Sequence, residues 1–367
     1  MEWTNNNKYN SFNSYKGLTY YEHYRKIADW MNGSQYLPPS VECNLDIFAE
    51  CNLRCYFCVG QRYLRANRSE VEEMRILSGD YMLRLVDFLA AWGVRGLCIS
   101  GGGEPTLHPA LPKVIRQAHE KMDVAVVTNA TTITNDLAEA LMLCRWVALS
   151  VDAGDKETYQ TVKGRNYFDR VTNNIQRLTN LRRSTGSRVD LGFKFLLLPE
   201  NVQFIHETCK LAKELGVQDF HVRPVDFERS DIEGHKKLEL DKDLVLEEFD
   251  KCHEEETEDF HVYTITHKFD SNFHVKHDFT KCLATPLVIP ILQNQYTYLC
   301  VDKKMERPFR LGSCNPPENV LTWWGSKEHL ELVKSVDISK CSRCTWSQYN
   351  SQMEEVVLRD KMCLSFP

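Results

Sequence analysis

The stretch Ala49-Glu-Cys51-Asn-Leu-Arg-Cys55-Tyr-Phe57-Cys58-Val-Gly60 decides how this chain is read. It spaces three cysteines as C-x3-C-x2-C. Three thiolates on one short loop can hold one face of an iron–sulfur cube, whose four irons then leave one without a protein ligand. Such an iron is open to a small molecule, by the same logic as the open position of a catalytic zinc. A structural zinc site would want a fourth Cys or His close by, and none stands between Cys58 and Cys98.

Outward from that loop, short apolar runs alternate with amphipathic segments. The strand candidates are Cys43–Ala49, Gly96–Ser100, Val124–Thr128, Trp146–Val151, Val189–Leu198 and Asp219–Pro224. Helical patterns separate them: Gly79–Trp92, Leu111–Lys121, Asn135–Leu143, Phe168–Arg183 and Val202–Leu215. Strands alternating with helices of 10–15 residues predict parallel βαβ units, hence a partial or full βα barrel or an open doubly wound sheet. In each, chemistry sits at the C-terminal ends of the strands. The polar residues gather there. The cysteine loop follows the first strand. Ser100-Gly101-Gly102-Gly103-Glu104-Pro105-Thr106 follows the second, and Asn129 the third. Ser150 and Asp152 end the fourth, Lys194 lies in the fifth, and Arg223 ends the sixth.

The glycine run has neither the G-x-G-x-x-G spacing of a dinucleotide fingerprint nor the lysine of a P-loop. Consecutive glycines let bare backbone approach a ligand. Their carbonyls and the Glu104 carboxylate could accept from a positive group such as an amino-acid ammonium. A plain strand-to-helix turn would read the same way.

The 367 residues carry 45 Lys and Arg against 51 Asp and Glu, a net charge of −6, and 43% are hydrophobic. That supplies a sizeable core and argues against whole-chain disorder and a nucleic-acid-coating surface. The longest apolar candidate, Pro286 to Leu292, is far short of a membrane span. The polar N-terminus has no apolar signal region, so the expected location is cytoplasmic. Fourteen cysteines in a reducing compartment point to metal rather than disulfides. Cys43, Cys98, Cys144, Cys209 and Cys252 stand alone and read as small core residues.

From about Arg229 the alternation stops. Asp231–His277 reads as a solvated connector with one helix, Leu244–Glu256, and its histidines show no ligand spacing. Beyond it come short β-like runs (Val288–Leu292, Tyr296–Val301), Trp323-Trp324, a helix at Lys327–Lys334 and Cys341-x2-Cys344. Together with Cys282 and Cys300, this pair makes four thiolates, a closed ligand set for a structural zinc or a second iron–sulfur cluster.

The cysteine loop followed by Gly-Gly-Glu-Pro, with 43 residues from Cys58 to Gly101, resembles the radical S-adenosylmethionine (SAM) superfamily, and Phe57 before the third cysteine fits its form. The resemblance covers roughly residues 40–225. It implies an α/β fold, a partial (β/α)6 TIM-like barrel, with a [4Fe–4S] cluster on Cys51, Cys55 and Cys58. It also implies SAM on the open iron, its amino group held by Gly102, Gly103 and Glu104. Ser150 and Asp152 match the ribose-contacting position, Lys194 and Arg223 are candidates for the SAM carboxylate, and Arg165 is a further SAM-binding candidate. In the family, an electron from the reduced cluster cleaves SAM to a 5′-deoxyadenosyl radical that abstracts hydrogen from a substrate carbon. An external one-electron reductant of the flavodoxin or ferredoxin type is implied.

The tail resembles the small α+β SPASM/twitch appendage of radical SAM dehydrogenases. That implies an auxiliary [4Fe–4S] cluster on Cys282, Cys300, Cys341 and Cys344. Thr345–Met362 lacks the further cysteines of a full SPASM domain, and Cys314 and Cys363 remain as free thiols or hydrogen donors. The expected organisation is an extension (1–40), a radical SAM core (41–228), a connector (229–280) and an iron–sulfur domain (281–367). The expected activity is a two-electron oxidation of a small polar molecule. An epimerase, a peptide-modifying maturase, or nucleotide or RNA modification are the alternatives.

Overall fold

Residues 19–60, 64, 74–225, 240–266 and 269–358 are described by the computed structural model. The six apolar runs become parallel strands: β1 (Glu42–Asp46), β2 (Gly96–Ser100), β3 (Asp123–Thr128), β4 (Trp146–Ser150), β5 (Asp190–Leu197) and β6 (Asp219–Pro224). Each pairs in parallel with the next, from β1 to β6, as successive βαβ units do. Strand alternation splits the faces. In β5, Leu191, Phe193, Phe195 and Leu197 are fully buried towards the helices, while Gly192, Lys194 and Leu196 take the opposite face. Phe220 of β6 meets Phe193 and Phe195 at ring separations of 5.9 and 5.8 Å.

The outer layer is helical: α1 (Tyr21–Met31), α2 (Gly79–Trp92), α3 (Leu111–His119), α4 (Asn135–Leu141), α5 (Lys156–Lys163), α6 (Phe168–Thr185), α7 (Ile205–Glu214) and α8 (Lys242–His253). Local chemistry sets their ends. Ser78 caps α2 by accepting from Tyr81 N–H, and Gly93 stops it at φ +111°, where only glycine is comfortable. Thr134 and Asp155 cap α4 and α5 in the same way.

The sheet continues beyond the expected barrel on both sides. β7 (His261–Thr264) adds parallel to β6, and α8 packs on α7. The stretch read as a solvated connector therefore supplies another βα unit, with Val245, Phe249 and Val262 buried in the main core. On the other edge, β8 (Val288–Ile291) pairs parallel to β1, followed by antiparallel β9 (Tyr296–Tyr298) and β10 (Arg310–Ser313). The order is β10-β9-β8-β1-β2-β3-β4-β5-β6-β7, so the sheet stays open. The tail thus extends the core sheet rather than forming one of its own.

A second core joins the two ends of the chain. Ile27 and Trp30 of α1 pack with Leu283, Leu299, Val333 and Met353. Trp30 Nε1 donates to Gly325 O at 3.0 Å, and Trp324 Nε1 to Pro38 O at 2.9 Å. The last helices are α9 (Val320–Trp323), α10 (Lys327–Lys334) and α11 (Ser347–Gln352). Among the described residues no helix is long and apolar enough to cross a membrane.

Candidate functional site

The cysteine loop leaves the C-terminal end of β1 and the glycine loop leaves that of β2, so parallel pairing brings them side by side. They are locked by backbone. Gly103 N–H donates to Phe48 O at 3.0 Å, and Glu104 N–H to Glu50 O at 2.7 Å. A Cβ on Gly103 would lie 2.6 Å from Phe48 O, and one on Gly60 would lie 2.8 Å from Gly102 O. Both glycines are required by loop-on-loop contact. A Cβ on Gly102 would meet only the Leu64 side chain, at 3.2 Å.

Glu104 is 3% exposed and fully engaged. One oxygen accepts from Thr106 N (3.0 Å), Thr106 Oγ1 (2.7 Å) and Thr128 Oγ1 (2.6 Å), and the other from Asn129 N (2.8 Å). Burial raises its pKa against the pull of these donors. The carboxylate expected to meet an ammonium thus braces the ends of β2 and β3. Asn129 relays this brace to the thiols. Its Nδ2 donates to Asn52 Oδ1 at 2.9 Å and to Cys51 Sγ at 3.8 Å. Asn52 Nδ2 in turn donates to Thr131 Oγ1 at 2.7 Å. Asn52, Thr128 and Thr131 escaped the sequence reading because short polar residues in loops carry no spacing signal.

Cys51, Cys55 and Cys58 are partly buried free thiols, and Leu53 N–H donates to Cys51 Sγ at 3.4 Å. Burial pushes Cys51 up to about 11 and Cys55 up to about 12, and neighbouring thiols add to both. A bound metal reverses that preference, because a coordinating thiol is deprotonated outright. Three soft thiols on one short loop beside a glycine cradle are the kind of donor set an iron–sulfur cluster takes.

Asp152 sits at φ +61° and is 1% exposed. Its carboxylate pairs with the buried Lys163 and accepts from Leu196 N at 2.8 Å. Asn201 Nδ2 donates to its carbonyl at 2.9 Å. The residue expected at a ribose is occupied in tying β4, β5 and α5 together. Lys163 also lies 5.7 Å from the Phe57 ring centre, and its carbonyl accepts from Arg54 N at 3.0 Å. Arg165, singled out from the same run, is exposed. The missed signal was the Asp155 cap, which starts a helix carrying Tyr159, Val162 and Lys163 inward together. Lys194 pairs at 2.9 Å with Asp219, the first residue of β6, and so turns towards the end of the sheet opposite the loops. Ser150 is partly buried beside Lys194, and Arg223 is partly buried near the end of β6.

The tail cysteines come together. Cys282, Cys300, Cys341 and Cys344 line one pocket with Asp302 and Asn350. Asn350 Nδ2 donates to Cys344 Sγ at 3.4 Å, while its oxygen accepts from Leu283 N and Ala284 N at 2.6 and 2.8 Å. Burial raises the Cys282, Cys300 and Cys341 thiols, and Cys282 feels Cys344 and Cys341 in addition. Among the described residues no three Cys, His, Asp or Glu side chains close on a single metal ion. The thiols surround open volume instead. Cys314 is 0% exposed in the main core, its carbonyl held by Tyr81 OH at 2.6 Å, which removes it as a hydrogen donor on the loop-bearing rim. Cys363 lies outside the described residues. The five isolated cysteines are all buried, as expected.

Comparison with known proteins agrees with this arrangement. The Radical SAM superfamily profile matches residues 45–212. The chain is 27% identical over 225 residues to the probable GTP 3′,8-cyclase of Metallosphaera sedula, covering 57% of this chain and 65% of that one. It is 28% identical over 183 residues to the AdoMet-dependent heme synthase of Methanosarcina barkeri, covering 48% of each. The chain thus spans less than two thirds of the length of these relatives. Streptococcus suis SuiB, solved bound to precursor peptide SuiA, shares the fold with a TM-score of 0.65 at 18% identity, covering 89% of this chain and 74% of that one. Loop chemistry, sheet and profile converge on one statement: residues 45–212 carry a domain of the Radical SAM superfamily, a family that works with a [4Fe–4S] cluster and SAM.

Proposed function

We propose that this enzyme is a radical SAM oxidoreductase that removes two electrons from a small polar molecule. The observation that carries the reading is the gathering of Cys282, Cys300, Cys341 and Cys344 around one pocket. Four protein thiolates are a closed ligand set, so a cluster there has no open iron for substrate and is suited to receiving an electron. Cys51, Cys55 and Cys58 would hold the SAM-binding cluster, with Asn129 and Leu53 N–H directed at the Cys51 sulfur. The cofactors supply the hard step, one-electron cleavage of SAM and hydrogen abstraction. The chain's part is to hold them, to brace the glycine loop through Glu104, and to exclude water. A one-electron reductant of the flavodoxin or ferredoxin type completes the cycle.

The test is iron content after anaerobic reconstitution. Wild type should hold about eight irons per chain and Cys51/Cys55/Cys58→Ala about four, one cubane per thiol set. About four in wild type and none in the variant would remove the acceptor cluster and with it the oxidation. A redox-neutral epimerase would need a thiol donor at the rim, and the burial of Cys314 weakens that reading. The likeness to a protein named GTP 3′,8-cyclase keeps a nucleotide as the alternative substrate.

A further inference from the structure

β8 runs parallel to β1 and β2, so the turn that follows it, carrying Gln293, opens on the same rim as the cysteine and glycine loops. That turn faces a cavity of about 140 Å³. Val59 and Gly60, next to Cys58, form one wall, and Gly101 and Gly102 a second. Val301, next to Cys300, and Lys304 close the third. A single cavity therefore touches the neighbours of both cysteine sets.

Gln293 is 1% exposed, and among the described residues neither its amide nitrogen nor its amide oxygen has a hydrogen-bond partner. The charged groups on the same walls are already matched. Lys304 Nζ donates to Asn44 Oδ1 at 2.7 Å and to Asp46 Oδ1 at 2.8 Å, and Arg343 pairs with Asp302. An unmet donor and an unmet acceptor on one buried planar group are costly and rare in a folded protein. A ligand can repay that cost. The unmet pair also defines the ligand. A carboxylate would satisfy the N–H and face the amide oxygen with negative charge. An ammonium would satisfy the oxygen and leave the N–H unmet. A neutral edge with an acceptor beside a donor completes both at once.

We propose that this cavity is the substrate-recognition site and that Gln293 binds the neutral amide or lactam edge of a small molecule. The ligand then lies between the two cysteine sets, where a hydrogen can be removed on one side and an electron on the other. This placement rests on the oxidoreductase reading; the binding chemistry stands on Gln293 alone.

The experiment uses the full reconstituted chain, wild type and Gln293→Met, a substitution of similar shape without the two polar atoms. Binding of inosine (a lactam), N-acetylglycinamide (an open-chain amide) and myo-inositol (a polyol) is followed by saturation-transfer NMR in the presence of SAM. At least one amide probe should bind wild type and lose about tenfold or more in affinity in Gln293→Met, with SAM affinity unchanged. Which of the two binds separates a nucleobase-like from a peptide-like source. The melting temperature of unliganded Gln293→Met should rise, because two orphaned polar atoms are gone. The proposal is overturned if neither amide probe binds, if myo-inositol binds as well as they do, if the variant binds them equally, if SAM affinity falls, or if the variant melts lower. Iron content separates this result from the oxidoreductase reading: about eight irons without probe binding sinks the site alone, and about four with probe binding sinks the oxidation alone.

Discussion

At the scale of the residue, Glu104 and Asp152 changed their part most once the structure was seen. A carboxylate beside a glycine run reads as a ligand for an ammonium, yet Glu104 already serves Thr106, Thr128 and Asn129. Glu104→Ala strands buried N–H groups and should cost about 3 kcal/mol in urea unfolding. Loss of SAM affinity with no loss of stability would instead return Glu104 to direct ligand binding. Asp152 and Lys163 are 1% and 2% exposed and neutralise each other. Lys163→Met leaves a buried carboxylate unpaired, at a cost of about 3–5 kcal/mol. The double variant Lys163→Met/Asp152→Asn should recover part of that, and a plain sum of two single losses would refute the coupling.

The elements explain which parts of the site were legible. β2, β3 and β4 are near-continuous apolar runs, which announce parallel strands, while β1, β5 and β6 alternate with their apolar side chains buried. The cysteine and glycine loops announce themselves by spacing, since both follow strands that the pattern had already found. β7 and α5 escaped. β7 is four residues among charged neighbours, and α5 is a two-turn helix with few apolar positions. Both are stabilised by the sheet or core they join rather than by their own pattern. The glycine loop offers a test at this scale. Gly103→Ala drives a Cβ into the backbone carbonyls of Phe48 and Glu50, so the cysteine loop must shift and iron on Cys51, Cys55 and Cys58 should be lost. Gly102→Ala presses only on the flexible Leu64 side chain and should keep its iron. Equal iron content in the two variants would show that loop-on-loop contact does not position the thiols.

Across the whole molecule, the two ends of the chain hold each other. His329 is 2% exposed, its ring centre 5.0 Å from those of Trp30 and Trp324, and its Nδ1 accepts from Gly325 N at 3.1 Å. Burial lowers its pKa from 6.5 to about 4. The unfolded chain therefore takes up the proton first. The stability this histidine protects is complete above about pH 6.5 and falls away as pH drops towards 4, by about 3 kcal/mol in all. Comparing unfolding of wild type and His329→Phe at pH 7 and pH 4.5 isolates the effect. An identical pH dependence in both would show that His329 is not buried neutral. Trp30→Ala, which empties the middle of the same junction, should cost about 3–5 kcal/mol and loosen α1 from the tail.

The sequence by itself determined the thiol spacing, the glycine loop, the six parallel strands and the resemblance to the radical SAM superfamily, because these are local patterns: a periodicity, a cap, a fixed gap between ligands. Tertiary structure alone decided which carboxylates are spent on bracing, that Cys314 is sealed in the core, that the tail extends the core sheet through β8, and that Gln293 faces a cavity with its amide unmet. Burial and hydrogen-bond partnership are properties of what packs against a residue. The atoms that brace Glu104, bury His329 or leave Gln293 without a partner come from strands and loops far apart along the chain.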